Sequence, residues 1–136
     1  MIVLDASCLI ALLDAHDLHH ADVSARLARH AAEDWAVSAL TLAEVMVRPA
    51  HDSARLAEAG EHIADLDLTV VDLRDLDAEG LAEIRARTRL RMPDCCVLLA
   101  AVTTGGAIVT TDQALRRQAL AMGIAVLDGP GPTANG

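Results

Sequence analysis

Short apolar runs alternate along the chain with longer segments in which apolar residues recur every three or four positions. Short apolar runs are typical of buried strands, and the longer spacing is typical of helices. Five strands are predicted, at Ile2–Leu4, Trp35–Val37, Leu68–Val71, Ala107–Thr110 and Ile124–Leu127. Helices are predicted from Ser7 to Leu13, 21 to 32, 38 to 47, 52 to 66, 77 to 87, from Pro93 or Asp94 to Gly105, and from 113 to 121.

Short apolar strands separated by helices favour an α/β fold with a parallel sheet covered on both faces. The 136 residues fit one domain with a substantial core. We expect this domain to span residues 1–128 and the Gly- and Pro-rich segment 129–136 to be a flexible C-terminal tail. In parallel α/β folds, ligands bind beyond the carboxyl ends of the strands.

The composition predicts an aliphatic core and restricts the kinds of partner. The chain has no Phe and no Tyr, and Trp35 is its only aromatic residue. Its net charge is −9, so any contact with nucleic acid must be local or depend on bound cations. No apolar run reaches the roughly 18 residues that a membrane span needs. We therefore expect a cytoplasmic protein with no membrane contact and with reduced cysteines.

Four acidic residues stand where such a fold binds ligands. Asp5 follows the first strand and Asp112 the fourth, while Asp94 opens an apolar helix and Glu44 interrupts an apolar segment. Singly, each has a structural explanation as a helix cap, a dipole partner or an i,i+4 partner of Arg48. If they converge, two carboxylates about 4 Å apart repel by roughly 4 kcal/mol at an effective dielectric constant of 20. A hard divalent cation with oxygen ligands would relieve that repulsion.

The segments IVLDAS, SALTLAEV, MPDCCVLLAA and IVTTD resemble the four acidic signatures of PIN domains in order and rough spacing. The chain is similar, from Met1 to about Leu127, to the VapC-like toxins of type II toxin–antitoxin pairs. The resemblance implies a three-layer α/β/α fold with a parallel five-stranded sheet in the order 3-2-1-4-5. It further implies an endoribonuclease that depends on Mg²⁺, or on Mn²⁺, and hydrolyses RNA through a metal-activated water.

The resemblance also assigns residues and partners. It implies a catalytic quartet formed by Asp5, Glu44, Asp94 and Asp112. Asp5 and Asp94 would bind the metal, and Ser7 and Thr111 would support the acids by hydrogen bonds. RNA, a cognate antitoxin protein and a second copy of the chain, in a homodimer, are the implied partners.

Basic residues near the third acid are candidate contacts for RNA phosphates. They lie in the segment IRARTRLRMPD and are Arg85, Arg87, Arg89 and Arg91. A solvated helix end explains these charges equally well. Arg116 and Arg117, on the last predicted helix, are weaker candidates. His16, His19 and His20 would share one face of a helix, but an oxygen site for a hard ion does not need them and we expect a loop there.

Two other classes of function stay open. A PIN-like module could bind RNA or a protein without cleaving, although all four acids are present. A phosphatase of the haloacid dehalogenase type is less favoured, because it needs a second Asp two residues after the first, where this chain has Ser7. A receiver domain needs a Lys, and the chain has none.

Overall fold

The computed structural model describes residues 1–127, which are built around a parallel sheet. Its strands are β1 (Ile2–Leu4), β2 (Trp35–Ser38), β3 (Thr69–Val71) and β4 (Ala107–Val109), in the order β3-β2-β1-β4. All neighbouring strands are parallel, and Leu4 of β1 lies opposite Val37 on one side and Val109 on the other. The residues that follow β1, β2 and β4 therefore meet at one edge of the sheet.

Seven α-helices connect and flank the strands within residues 1–127. They are α1 (Ala6–Leu13), α2 (His20–Ala28), α3 (Ala39–Val47), α4 (Ser53–Asp65), α5 (Ala78–Thr88), α6 (Met92–Thr104) and α7 (Gln113–Ala121). Short 3₁₀ turns span Pro49–His51 and Asp75–Asp77. Polar side chains that accept backbone N–H groups begin four of the helices, and these residues are Asp5, Ser38, Asp52 and Asp112.

The core has two parts because successive residues of each strand face opposite sides of the sheet. Val3 and Ile108 pack on one side with Leu98 of α6. Ile2 and Leu4 pack on the other side with residues of α1, α2 and β2. Helices thus cover both faces of the sheet, and the predicted parallel α/β architecture is confirmed.

The predicted fifth strand is represented in the described residues by a single parallel bridge. Only Val126 of the segment 124–127 pairs with β4, through a single parallel bridge to Ile108. Ile108 donates its N–H to the carbonyl of Ala125 at 2.9 Å and accepts the N–H of Leu127 at 2.9 Å. The segment lies beside β4, where the predicted order placed a fifth strand. It pairs with β4 at one residue, after a turn at Gly123, whose φ is 76°.

The structure also bears on the predicted end of the second helix and on the loop predicted before that helix. The predicted helix 21–32 ends at Ala28, and turns lead into β2, where the Trp35 indole donates to the carbonyl of His30. The loop before it is confirmed, since Asp14 and Asp17 accept backbone N–H groups two residues ahead. The predicted tail, residues 129–136, lies outside the described residues. No helix within residues 1–127 is both long enough and apolar enough to cross a membrane.

Candidate active site

Asp5 lies at the carboxyl end of β1 and is only 4% exposed. Its Oδ1 accepts hydrogen bonds from the Ser7 hydroxyl at 2.7 Å and from the Cys8 N–H at 2.9 Å, the second of which caps α1. Its Oδ2 accepts a hydrogen bond from the Thr110 hydroxyl, 105 residues further along the chain. The carboxylate is therefore fixed by both β1 and the end of β4.

Thr110 connects two of the four acids. Besides donating to Asp5, its oxygen accepts the N–H of Asp112 at 2.9 Å. Thr111, which the sequence predicted for such a role, contributes its backbone N–H to the Ser7 hydroxyl at 3.4 Å. The bridging hydroxyl thus belongs to the residue before the predicted one. The register explains this, because Leu4 pairs with Val109 and the next pair in line is Asp5 with Thr110.

Asp112 follows β4 and caps α7. Its Oδ1 accepts the N–H groups of Ala114 at 2.8 Å and Leu115 at 3.1 Å. Its Oδ2 accepts no hydrogen bond within residues 1–127 and stays available to a ligand.

Asp94 and Glu44 differ from the two capping acids. Asp94 lies in the first turn of α6 and Glu44 in the middle of α3, and both are half-buried. Neither carboxylate accepts a hydrogen bond or forms an ion pair within the part of the chain that the structure describes. Partly buried carboxylates without partners are costly, which makes these two the readiest ligands for a cation.

The charges of the other three acids all reach Asp94. Burial raises the pKa of Asp94, the Arg91 guanidinium opposes this, and the negative charges of Asp112, Asp5 and Glu44 raise the pKa further. Repulsion of this kind is expected when carboxylates share one environment. The other three predicted acids therefore lie within electrostatic range of Asp94.

The acids suit a hard divalent cation without forming a closed cage. Within residues 1–127, no three His, Cys, Asp or Glu side chains lie close enough to make a ready metal site. Mg²⁺ does not need such a cage, because it keeps several waters and takes only one or two direct carboxylates. The donors are oxygen atoms only, two carboxylates lack protein partners, and mutual repulsion acts on Asp94. This donor set fits Mg²⁺ or Mn²⁺ and not a thiolate metal.

The four arginines predicted as candidate phosphate contacts lie on α5, at its end and at the start of α6. All four residues are exposed: Arg85, Arg87, Arg89 and Arg91. Arg89 ends α5 in the left-handed conformation, with φ of 59°. Arg91 stands at the start of α6, and its charge acts on Asp94. Arg91 is thus the member of the row that the structure couples to the acids.

The comparison with known families decides what kind of domain holds these acids. A family model described as the PIN domain matches residues 2–120, a segment that contains all four. The chain belongs to the PIN-domain family. The resemblance of its acidic segments to PIN domains is thereby confirmed. No curated protein matches the sequence.

Solved structures share the fold of this PIN domain. VapC20 of Mycobacterium tuberculosis, a Sarcin-Ricin loop cleaving toxin, is 17% identical with a TM-score of 0.74, over 96% of this chain and 100% of that one. VapBC2 of Rickettsia felis, bound to promoter DNA, is 14% identical with a TM-score of 0.74, over 96% and 100%. A toxin–antitoxin complex of Klebsiella pneumoniae is 20% identical with a TM-score of 0.64, over 82% and 87%. At these identities the likeness establishes the fold.

Proposed function

We propose that this PIN domain is a Mg²⁺-dependent endoribonuclease and the toxin of a toxin–antitoxin pair. The observation that carries the proposal is the state of Asp94, a half-buried carboxylate without a protein partner whose pKa is raised by burial and by three further acids. Such a group is destabilised until a cation arrives. The family assignment and the toxins that share the fold supply the chemical context.

In this proposal, each acid has a separate task. Asp5 and Asp94 would hold the cation, and Asp112 and Glu44 would complete the site directly or through water. When bound, the cation would lower the pKa of a water molecule and offset charge on the phosphate oxygens. Ser7 and Thr110 donate to Asp5, and these two hydrogen bonds fix the orientation of its carboxylate. Glu44, without a protein partner, can accept a proton from the attacking water.

A second surface supports an antitoxin partner. A cleft of about 350 Å³ lies between α1, α3 and α4, and Ile10, Leu13 and Val45 are among its apolar walls. Its charged walls are mixed, with the acids Asp14, Glu44 and Glu58 and the bases Arg48 and Arg55. A peptide with apolar side chains fits those walls, and a basic residue placed next to Glu44 would reach an acid of the active site. We propose that the cognate antitoxin binds there and that the domain acts as a homodimer.

The test is cleavage of total cellular RNA by the purified protein with Mg²⁺ and with EDTA. Cleavage that EDTA stops is expected, and Asp94→Asn should lower its rate by more than about 100-fold. Mg²⁺ should raise the melting temperature of the wild type but not of the variant. The matched control is Asp65→Asn, an exposed acid at the end of α4 with no partner within residues 1–127.

Three results would contradict parts of the proposal. Cleavage that persists in EDTA, or full activity of Asp94→Asn, would overturn the metal-dependent mechanism. RNA binding without any cleavage would favour the alternative, a PIN-like module that binds without cutting. If the protein cleaves RNA but does not bind a co-expressed antitoxin from the same operon, it is a nuclease and not the toxin of such a pair.

A further inference from the structure

The loop between α1 and α2, residues 14–19, borders two clefts that contain residues of the acidic site, and we call it the histidine loop. At its start, Asp14 lines the cleft that contains Glu44. At its end, His19 lines a smaller cleft, of about 240 Å³, that contains Thr110. Thr110 belongs to the acidic site because its hydroxyl donates to the first acid. The histidine loop therefore extends from one cleft beside the acids to the other.

Two turns hold the backbone of the histidine loop in a defined shape. Asp14 accepts the N–H of His16 at 2.9 Å, and Asp17 accepts the N–H of His19 at 2.8 Å. The side chains of His16, Leu18 and His19 are exposed, and that of Leu18 is 91% exposed. No hydrogen bond or ion pair engages these two imidazole rings within residues 1–127. The loop thus presents two aromatic rings and one apolar side chain to solvent.

Aromatic rings are scarce in this chain, which limits how it can hold an RNA base. The chain has no Phe and no Tyr. Trp35 begins β2 at the opposite edge of the sheet, and its indole donates to the carbonyl of His30. Proteins hold unpaired RNA bases by stacking them on aromatic rings, and histidine is one of the residues that serve. The exposed rings of the histidine loop are placed to receive a base beside the acids.

Contacts with bases also suit the charge of this chain. Its net charge of −9 repels the phosphates of RNA. A base is uncharged, so stacking on an imidazole and apolar contact with Leu18 contribute affinity without a cationic surface. Base contacts are therefore a means by which this acidic protein can hold RNA next to its acids.

We propose that the histidine loop binds an unpaired RNA base next to the phosphate that is cleaved, with His19 stacking on the base and Leu18 packing against it. This inference rests on the proposed ribonuclease function. It names the substrate class as single-stranded RNA, because a base inside a duplex has no free face on which to stack. His19 is preferred to His16 because the cleft that His19 lines also contains Thr110.

The experiment compares His19→Ala with His51→Ala. His51 is an exposed histidine in the 3₁₀ turn Pro49–His51 and lines neither cleft. Binding of a labelled single-stranded RNA oligonucleotide of mixed sequence is followed by fluorescence anisotropy in EDTA at increasing salt, at about pH 8, where histidine side chains are ordinarily uncharged. His19→Ala should weaken binding about tenfold without changing the slope of log affinity against log salt, because stacking releases no counterions. His51→Ala should match the wild type within about twofold.

An aromatic replacement separates stacking from other roles of the side chain. His19→Phe keeps a ring and should bind the oligonucleotide within about twofold of the wild type. Leu18→Ser removes the apolar contact and should weaken binding. The His19 side chain caps no helix and Leu18 is almost fully exposed, so all these variants should fold, which thermal melting checks.

Several results would overturn the inference. One is the absence of wild-type binding to the oligonucleotide at up to about 100 μM protein. Another is a loss in His19→Phe, or in His51→Ala, as large as that in His19→Ala. A salt slope that falls by about 0.7 in His19→Ala would indicate a phosphate contact in place of stacking. Weaker binding of the co-expressed antitoxin, with RNA binding unchanged, would assign the loop to the protein partner.

The outcomes distinguish this inference from the proposed function. If RNA is cleaved with Mg²⁺ but His19→Ala binds the oligonucleotide as the wild type does, the histidine loop is not a base site and the nuclease proposal stands. If RNA is not cleaved but His19→Ala alone weakens binding and His19→Phe does not, the loop binds RNA bases and the nuclease proposal fails.

Discussion

Replacing Thr110 by valine tests the link between β4 and Asp5. The change removes a hydroxyl and keeps the shape of the side chain, which is only 5% exposed. Two hydrogen bonds disappear, one donated to the buried Asp5 carboxylate and one accepted from the Asp112 N–H. A hydrogen bond to a charged group contributes about 1.5–3 kcal/mol and a neutral one about 0.5–1.5 kcal/mol. The free energy of unfolding should therefore fall by about 2–4 kcal/mol.

Urea denaturation followed by circular dichroism at neutral pH in EDTA measures this loss. The midpoint should fall with little change in the slope, and the melting temperature should drop by roughly 8–16 °C for a domain of this size. Thr110→Ser keeps the hydroxyl and should lose only about 1 kcal/mol for the missing methyl group.

Thr111→Val is the decisive control because it makes the same chemical change one residue away. The Thr111 hydroxyl makes no hydrogen bond within residues 1–127, so this variant should stay within about 0.5 kcal/mol of the wild type. If Thr110→Val is equally harmless, or if Thr111→Val loses as much, the assignment of the bridging hydroxyl to Thr110 is refuted.

Two further predictions concern a close backbone approach and the titration of Asp94. A Cβ at Gly106 would lie 2.8 Å from the Met1 carbonyl oxygen, so Gly106→Ala should lower the free energy of unfolding, measured in urea, by about 1–3 kcal/mol. A Cβ at Gly60 in α4 would have nothing within 4 Å, so Gly60→Ala should raise the free energy of unfolding by about 0.5–1 kcal/mol. Because the pKa of Asp94 is raised, the metal-free native state holds a proton that the unfolded chain releases, and stability falls as pH rises through that window. The stability of Asp94→Asn relative to the wild type should therefore grow as the pH rises above 3.8, the ordinary pKa of this side chain, and a constant difference would contradict it.

The order of strands and helices could be predicted because each element carries its own period of apolar residues. Ile2–Leu4 is apolar at every position because β1 is central and covered on both faces. The fifth predicted strand is reduced to one bridge, and the period of apolar residues does not indicate this. Whether 124–127 pairs along its length depends on where the turn at Gly123 brings it to β4, and it meets only Ile108.

The site could be predicted in position but not in its hydrogen bonds. Asp5 and Asp112 follow strands, so their place at the carboxyl edge follows from a parallel sheet. Choosing Thr110 over Thr111 needs the register between β1 and β4, which no local pattern reveals.

Two of the acids have a structural role as helix caps. Asp5 and Asp112 each cap a helix through Oδ1; Oδ2 of Asp5 accepts the Thr110 hydroxyl, and Oδ2 of Asp112 accepts no hydrogen bond within residues 1–127. A substitution at either residue therefore changes helix capping together with any metal site. Asp94 and Glu44 cap nothing and accept no hydrogen bond within residues 1–127. Loss of activity at these two positions, with the fold preserved, is consequently the evidence that bears on catalysis, whereas loss at Asp5 or Asp112 alone would leave stability and chemistry combined.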